Sequence, residues 1–243
     1  MNIIEHLQPT KVFEINLLGV DASIYNSTLT AFLAIGLIVL FFSVVSRRAR
    51  IIPSASQSLA EYGIEFIRSQ MLEPLGKEGE KWLPFLLSLF CFILVSNLLG
   101  LIPGLLPPTS NINVTGTLAV LVFILVQGLG IKKQGLFGYF KNMIPAGVPV
   151  LLIPLLLPIE IIGQIARPFS LAVRLFANMF AGHAIILVLL SFIIMFKSFI
   201  LLPLPLLGDV AISAFEVFIA FIQAFIFTYL TSSYIIGAIE SEH

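Results

Sequence analysis

VPVLLIPLLLPIEIIGQIARPFSLAVRLFANMFAGHAIILVLLSFIIMF, residues 148–196, decides the fold. A continuous helix of roughly 50 residues measures about 74 Å, against a hydrocarbon core of ~30 Å. No polar loop of more than one or two residues divides the stretch, and Pro149, Pro154, Pro158 and Pro168 permit kinks rather than a reversal. One long, inclined helix over 148–198 is therefore expected in place of two upright spans. Within it sit Arg167, Arg174 and His183. A charge at the bilayer centre costs at least ~2.5–3.5 kcal/mol on insertion scales, so Arg174 needs a partner or a purpose.

The composition agrees with a membrane setting. Of 243 residues 58% are hydrophobic and 11% charged, with a mean hydropathy of +1.07. Water-soluble domains carry about 25% charged residues, so lipid is the expected solvent. Thirteen basic and thirteen acidic residues cancel, which gives no electrostatic case for a nucleic-acid partner. The single cysteine, Cys91, excludes an intramolecular disulfide and reads as a small buried hydrophobe. Residues 1–28 lack a basic leader running into an apolar core, so no cleavable signal peptide is expected. Neither a cofactor nor a metal is expected, and no GxxxxGK[ST] phosphate loop is present.

Outward from the long stretch, the chain divides into one membrane domain over residues 1–243. Residues 29–46 form a first span. Residues 53–72 read as an amphipathic surface helix, with Glu61, Glu65 and Arg68 on one side and Leu59, Tyr62, Phe66 and Ile67 on the other. Ser54 and Gln57 are spaced as a capping box. Residues 82–102 make a second span, with Trp82 at its edge and Asn97 inside. Asn97 either bonds a neighbouring helix or lines a hydrated path. A shorter third span covers 116–131 and ends at Lys132 and Lys133. After the long helix, Pro203, Pro205 and Gly208 mark a turn over 197–209, with Lys197 and Asp209 expected as solvated turn residues. A final helix over 208–239 follows. The expected fold is an all-α polytopic membrane protein with about five crossing helices, the last two a long tilted hairpin, plus one surface helix.

Basic residues concentrate between spans one and two and after span three, with none in the 103–115 loop. By the positive-inside rule the N-terminus lies outside and the basic segments and C-terminus are cytoplasmic. No repeat relates the two halves, which weakens an inverted-repeat transporter reading.

The hairpin's polar residues form a short set. On the first arm Ser170, Arg174 and Asn178 share a face, while His183 is nine positions beyond Arg174 and points the other way. Glu160 and Gln164 lie nearer the cytoplasmic end. On the second arm Glu216 and Gln223 are seven apart and nearly aligned. Antiparallel arms turning near 203–205 bring His183 and Glu216 to similar depth. Histidine titrates near neutral pH and a carboxylate in a low-dielectric site can be moved toward it, so proton transfer is the chemistry this set suits. Arg174 stays protonated and cannot relay a proton. It either pairs with Glu216 in a buried salt bridge or meets a carboxylate outside this chain. Arg167, before Pro168, is expected only to bond carbonyls freed at the kink.

At these residues the chain resembles subunit a of the membrane sector of F-type ATP synthases. SLAVRLFANMFAGH (170–183) matches the signature around that family's essential arginine, FIQAFIFTYLTSSYI (221–235) its last helix, and FCFILVSNLLGLIPG (90–104) its second span. The resemblance covers nearly the whole chain beyond about residue 10. It implies that Arg174 faces a ring of c subunits and meets their carboxylates. It places Asn178, His183, Glu216 and Gln223 around two half-channels, with Glu160 at a further acidic position and Ser170, Asn97 and Gln164 as supporting polar groups. Some bacterial members carry the His183/Glu216 pair in exchanged order, and this chain has the arrangement of mitochondrial and related bacterial members. The implied partners are the c ring, b-type peripheral stalk subunits, the F1 sector indirectly, lipid and protons. The implied role is a non-catalytic, ion-translocating subunit in a bacterial inner membrane, or in the mitochondrial inner membrane. Two other classes stand beside it: a secondary transporter holding an anionic substrate at Arg174, and a structural scaffold. A sodium-translocating version of the same subunit is a further alternative.

Overall fold

The computed structural model describes residues 10–239 except 15, 18–19, 22, 103, 143–152 and 197–202. Lys197, the tip of the expected turn, the first residues of the expected long helix and the last four residues lie outside the described set. Among the described residues six α-helices carry the architecture: α1 Asn26–Arg47, α2 Ala55–Ile67, α3 Leu83–Leu99, α4 Ile112–Asn142, α5 Ile153–Phe196 and α6 Pro203–Ile239. Among the described residues α1, α4, α5 and α6 are long and apolar enough to cross a membrane. The 17-residue α3 is at the short end of the spanning range. The protein is thus an all-α, polytopic membrane protein.

Ahead of α1 the chain forms a small nested hairpin that hydropathy alone did not reveal. Strands β1 (Lys11–Phe13) and β4 (Ile24–Tyr25) pair antiparallel, as do β2 (Asn16–Leu17) and β3 (Val20–Asp21). The Asn26 amide donates to the Thr10 carbonyl (3.0 Å) and joins this hairpin to the start of α1.

α5 is one uninterrupted helix of 44 residues with Pro158 and Pro168 inside it. At 1.5 Å per residue it is about 66 Å long, so it cannot stand upright within the hydrocarbon core. α6, with 37 residues, is also over-long and starts at Pro203, five residues ahead of the expected boundary. Asp209 accordingly lies in a helix, not a solvated turn, and its Oδ1 is buried with no hydrogen-bond partner among the described residues. The third span is longer than 116–131. α4 runs to Asn142 through Gly135, whose φ of 72° breaks the regular helix. That left-handed conformation suits glycine, and it folds the segment after Lys133 back on the helix. Tyr139 fills the space where a Cβ on Gly130 would stand, its Cδ2 2.9 Å from that position.

α2 turns only part of its expected apolar side toward the rest of the protein. Its buried positions are Gln57, Ala60 and Ile67, whereas Leu59 and Tyr62 are exposed. In lipid, apolar character no longer selects the protein-facing side, because acyl chains receive Leu and Tyr as readily as a core does. The capping box is also absent: Ser54 occupies the cap position but makes no cap bond. Gln57 instead pins the preceding loop, accepting from the Arg50 amide (3.0 Å) and donating to the Arg50 carbonyl (2.9 Å) and to Glu61 (2.8 Å). A π-turn, Arg68–Leu72, closes α2. Glu80 and Glu65 hydrogen-bond the Arg68 guanidinium at 2.7 and 2.8 Å and hold its pKa up.

The core is built from Leu86, Phe90 and Ile93 of α3, Leu175 of α5 and Phe227 of α6, over Ile67 and Met71 beneath. Small residues let the long helices approach closely: Ala119, Ala172, Ala220 and Ala224 are buried at these contacts. Polar ties fix the ends. Ser232 Oγ donates to the Met71 carbonyl at 2.5 Å, and Lys133 Nζ donates to the Ile239 carbonyl. The basic end of α4, the C-terminal end of α6 and the end of α2 therefore share one end of the bundle. The 104–111 segment, with buried Leu106 and a 3-10 turn Pro108–Ser110, closes the other.

Candidate functional site

Two contacts set the register of α5 against α6. Gly182 faces Glu216, and Gly208 faces Leu189. The arms are antiparallel, so His183 and Glu216 sit at one level. A Cβ on Gly182 would overlap Glu216 Oε1 and stand 2.9 Å from Cδ and 3.3 Å from Cγ. The missing side chain at 182 is therefore what lets the Glu216 carboxyl lie against α5. Spacing on one helix cannot reveal this, because the requirement comes from the other.

His183 and Glu216 line one cavity with Asn97, Gly100, Leu101, Pro107 and Met179. The room within it for a water-sized sphere is ≈ 10 Å³, close to one water molecule. Glu216 is 7% exposed, and its Oε1 is buried with no hydrogen-bond partner among the described residues. The Gly100 backbone faces the His183 ring. Asn97, 2% exposed, accepts from Thr109 Oγ1 at 2.6 Å and directs Nδ2 toward the Ala220 carbonyl at 3.5 Å. Asn97 ties α3 to α6 and lines the cavity. Gln223, two turns below Glu216, is buried on the same face of α6.

Arg174 lies elsewhere. It is exposed, on the side of α5 that also carries exposed Ser170 and Ala177, with Asn178 half-buried beside it. Leu171, Leu175 and Met179, on the adjoining side, are buried. The ion pairs among the described residues are Arg68 with Glu65 and Glu80, and Arg167 with Glu160. None includes Arg174, so the buried Arg174–Glu216 salt bridge is not formed. A fixed cation, Arg174, is thus presented outward from an apolar hairpin, while Glu216 of the same hairpin is turned inward. This arrangement suits an anion that is not part of the chain.

The sequence pattern of the family described as ATP synthase A chain matches residues 28–236. The chain belongs to that family. It is 41% identical over 237 residues to the ATP synthase subunit a of Rhodospirillum rubrum, covering 98% of each chain. It is 43% identical over 244 residues to that of Magnetococcus marinus, covering 99% of this chain and 93% of the relative. With the Bartonella bacilliformis protein of the same name it shares 38% over 245 residues, covering 99% and 97%.

In this member of the ATP synthase A chain family a second polar group lies toward the basic end. Gln127 Nε2 donates to Gln164 Oε1 (3.0 Å), and the Tyr139 hydroxyl reaches both Gln164 (3.1 Å) and Gln127. Burial pushes the Tyr139 phenol up, so it remains a donor at neutral pH. Beside them Arg167 approaches Glu160 at 3.7 Å and stacks over Tyr234, 5.6 Å from the ring centroid. Arg167 is thus a partner of two side chains rather than a group serving only kink carbonyls. Gln127 was a missed signal: a carboxamide inside an apolar span. Tyr139 joins only because Gly135 turns the chain back, which composition does not announce.

Proposed function

We propose that this chain is the proton-conducting stator subunit of an F-type ATP synthase, itself non-catalytic, which offers two offset half-channels to a rotating ring of c subunits. A proton from outside passes the His183–Glu216 cavity, with Gln223 and Asn178 along its route, and neutralises a carboxylate on the ring. The neutral site enters lipid at little cost, travels round the ring, and releases its proton to a cytoplasmic path near Glu160 and Gln164. Arg174 attracts the carboxylate left ionised and, because its guanidinium keeps its protons, blocks direct leakage between the two paths. Each charge moved through 100 mV supplies about 2.3 kcal/mol to the rotation. The reading places the N-terminus outside, the C-terminus in the cytoplasm and the protein in a bacterial inner membrane. It makes the c ring and b-type stalk subunits direct partners and the F1 sector an indirect one.

The observation that carries the proposal is the separation of the charges. Arg174 is exposed without an ion-pair partner among the described residues, while Glu216 and His183 share an internal cavity. A transporter holding an anionic substrate at Arg174 needs an enclosed site around it, and the guanidinium is exposed instead. Replacing Arg174 by Ala in the assembled complex is expected to abolish proton-driven ATP synthesis in reconstituted vesicles without loss of assembly. Near-normal coupled synthesis would refute the mechanism.

A further inference from the structure

The segment joining α3 to α4 carries no charge and reads as an ordinary connection, yet its 3-10 turn is buried: Pro108, Thr109 and Ser110 all lie inside the bundle end. Thr109 is fully buried and gives its hydroxyl proton to Asn97 Oδ1 at 2.6 Å, near the short end for such bonds. Pro107 lies against Gly100, 2.7 Å from where a Cβ on that glycine would stand. The last turn of α3 is therefore held from outside by this segment. That same turn touches both arms of the hairpin, α6 through Asn97 Nδ2 and the Ala220 carbonyl, and α5 through the Gly100 backbone and His183.

A carboxamide has one acceptor oxygen and one donor NH2. With its oxygen taken by Thr109, Asn97 turns its N–H groups toward α6 and the cavity. One N–H is directed at Ala220, one turn beyond Glu216, and the other is available to a guest. We propose that Thr109 is a positioning residue for the His183–Glu216 cavity: its hydroxyl fixes the Asn97 carboxamide with the donor side inward. A cavity that contains a carboxyl group and room for about one water works best with a donor on the facing wall. Without the Thr109 hydroxyl, Asn97 is free to turn its oxygen inward, presenting lone pairs to the lone pairs of Glu216. The inference rests on the reading of this cavity as the outer half-channel.

The test compares Thr109→Val, which keeps the shape and removes the donor, with Thr109→Ser, which keeps the donor. Proton conductance is read in F1-stripped vesicles under a potassium diffusion potential and normalised to assembled complex. Thr109→Val is expected to conduct at least about threefold more slowly, Thr109→Ser within error of the unmodified protein, and Thr109→Val to add nothing further in an Asn97→Leu background. Wild-type conductance in Thr109→Val, an equal loss in Thr109→Ser, or multiplying effects in the double variant would overturn the proposal. Should the valine variant fail to accumulate, Thr109→Ala, which removes the hydroxyl without adding bulk, carries the same expectation. Glu216→Gln measured alongside separates the two failures. If it conducts normally, the half-channel reading falls, and if it fails while Thr109→Val does not, only the positioning role falls.

Discussion

Gly182→Ala isolates the fit between the two arms of the hairpin. The added methyl group would overlap Glu216 Oε1 and stand 2.9 Å from its Cδ, where ordinary contact begins near 3.4 Å. The backbone of α5 is locked into a long helix, so the flexible Glu216 side chain must yield. Overpacking of this kind costs about 1–3 kcal/mol if the carboxyl stays in place. Read as a population, that range moves the carboxyl out of its present position by a factor of roughly 5 to 150, at 1.4 kcal/mol per tenfold. Because the side chain can swing away, the loss should fall on proton uptake rather than on assembly. ATP synthesis driven by an imposed proton gradient is expected to drop by about tenfold or more, at unchanged amounts of complex. Gly163→Ala is the control on the same helix, since a Cβ there meets nothing within 4 Å and alanine favours helix by up to ~1 kcal/mol. Shortening the partner in Gly182→Ala/Glu216→Asp should restore part of the rate. Wild-type synthesis in Gly182→Ala would mean that Glu216 does not need its position against α5, and the assignment of the cavity would fail with it.

Two further outcomes follow from the same geometry. Glu216→Gln keeps the shape but removes the titrating group, and proton flux from the outer face is expected to fall by about 10²-fold, the lower range for a lost acid–base group; unchanged flux in assembled complexes would remove Glu216 from the path. Ser232→Ala deletes the bond from α6 to the Met71 carbonyl, and about 0.5–1.5 kcal/mol of stability should go with it, read as a lower thermal midpoint in detergent with conductance preserved. A conductance loss at unchanged stability would contradict a tie that is only structural.

The long helix could be read from sequence because the decisive signal was an absence: no polar loop divides residues 148–196, and a chain cannot reverse in lipid without satisfying its backbone. The common level of His183 and Glu216 followed from a hairpin with a single turn. What escaped depended on contacts between elements. Which residues on the apolar side of the surface helix meet protein was not readable: Ile67 is buried whereas Leu59 and Tyr62 are exposed, because in a membrane apolar character does not separate a protein-facing side from a lipid-facing one. Gly135 looked like one glycine among many, and only its fold-back brings Tyr139 to Gln127 and Gln164. Thr109 sat in an uncharged loop with no periodicity to suggest burial. Gly182 had no sequence signal at all, since its importance is the side chain of Glu216, 34 positions away by numbering.

Distances along α5 sharpen the role of Arg174. Gly182, which marks the level of Glu216, is eight residues from Arg174, or ~12 Å along the axis, and Glu160 is fourteen residues the other way, or ~21 Å. The two ends are thus ~33 Å apart on the helix, close to the ~30 Å core, and tilt brings both inside it. At an effective dielectric of 20, a unit charge ~12 Å away feels Arg174 by about 1.4 kcal/mol, whereas one at ~4 Å feels it by about 4 kcal/mol. Arg174 is therefore too distant to act as the counter-ion of Glu216, and strong enough to select between an ionised and a neutral carboxyl group brought up against the exposed face. Under the proposed function, selection of an ionised ring carboxylate at Arg174 requires this inequality, while the transmembrane potential supplies the energy. A cation that also held Glu216 tightly would stop that group from accepting a proton, and would leave no preference for the carboxylate arriving from outside the chain.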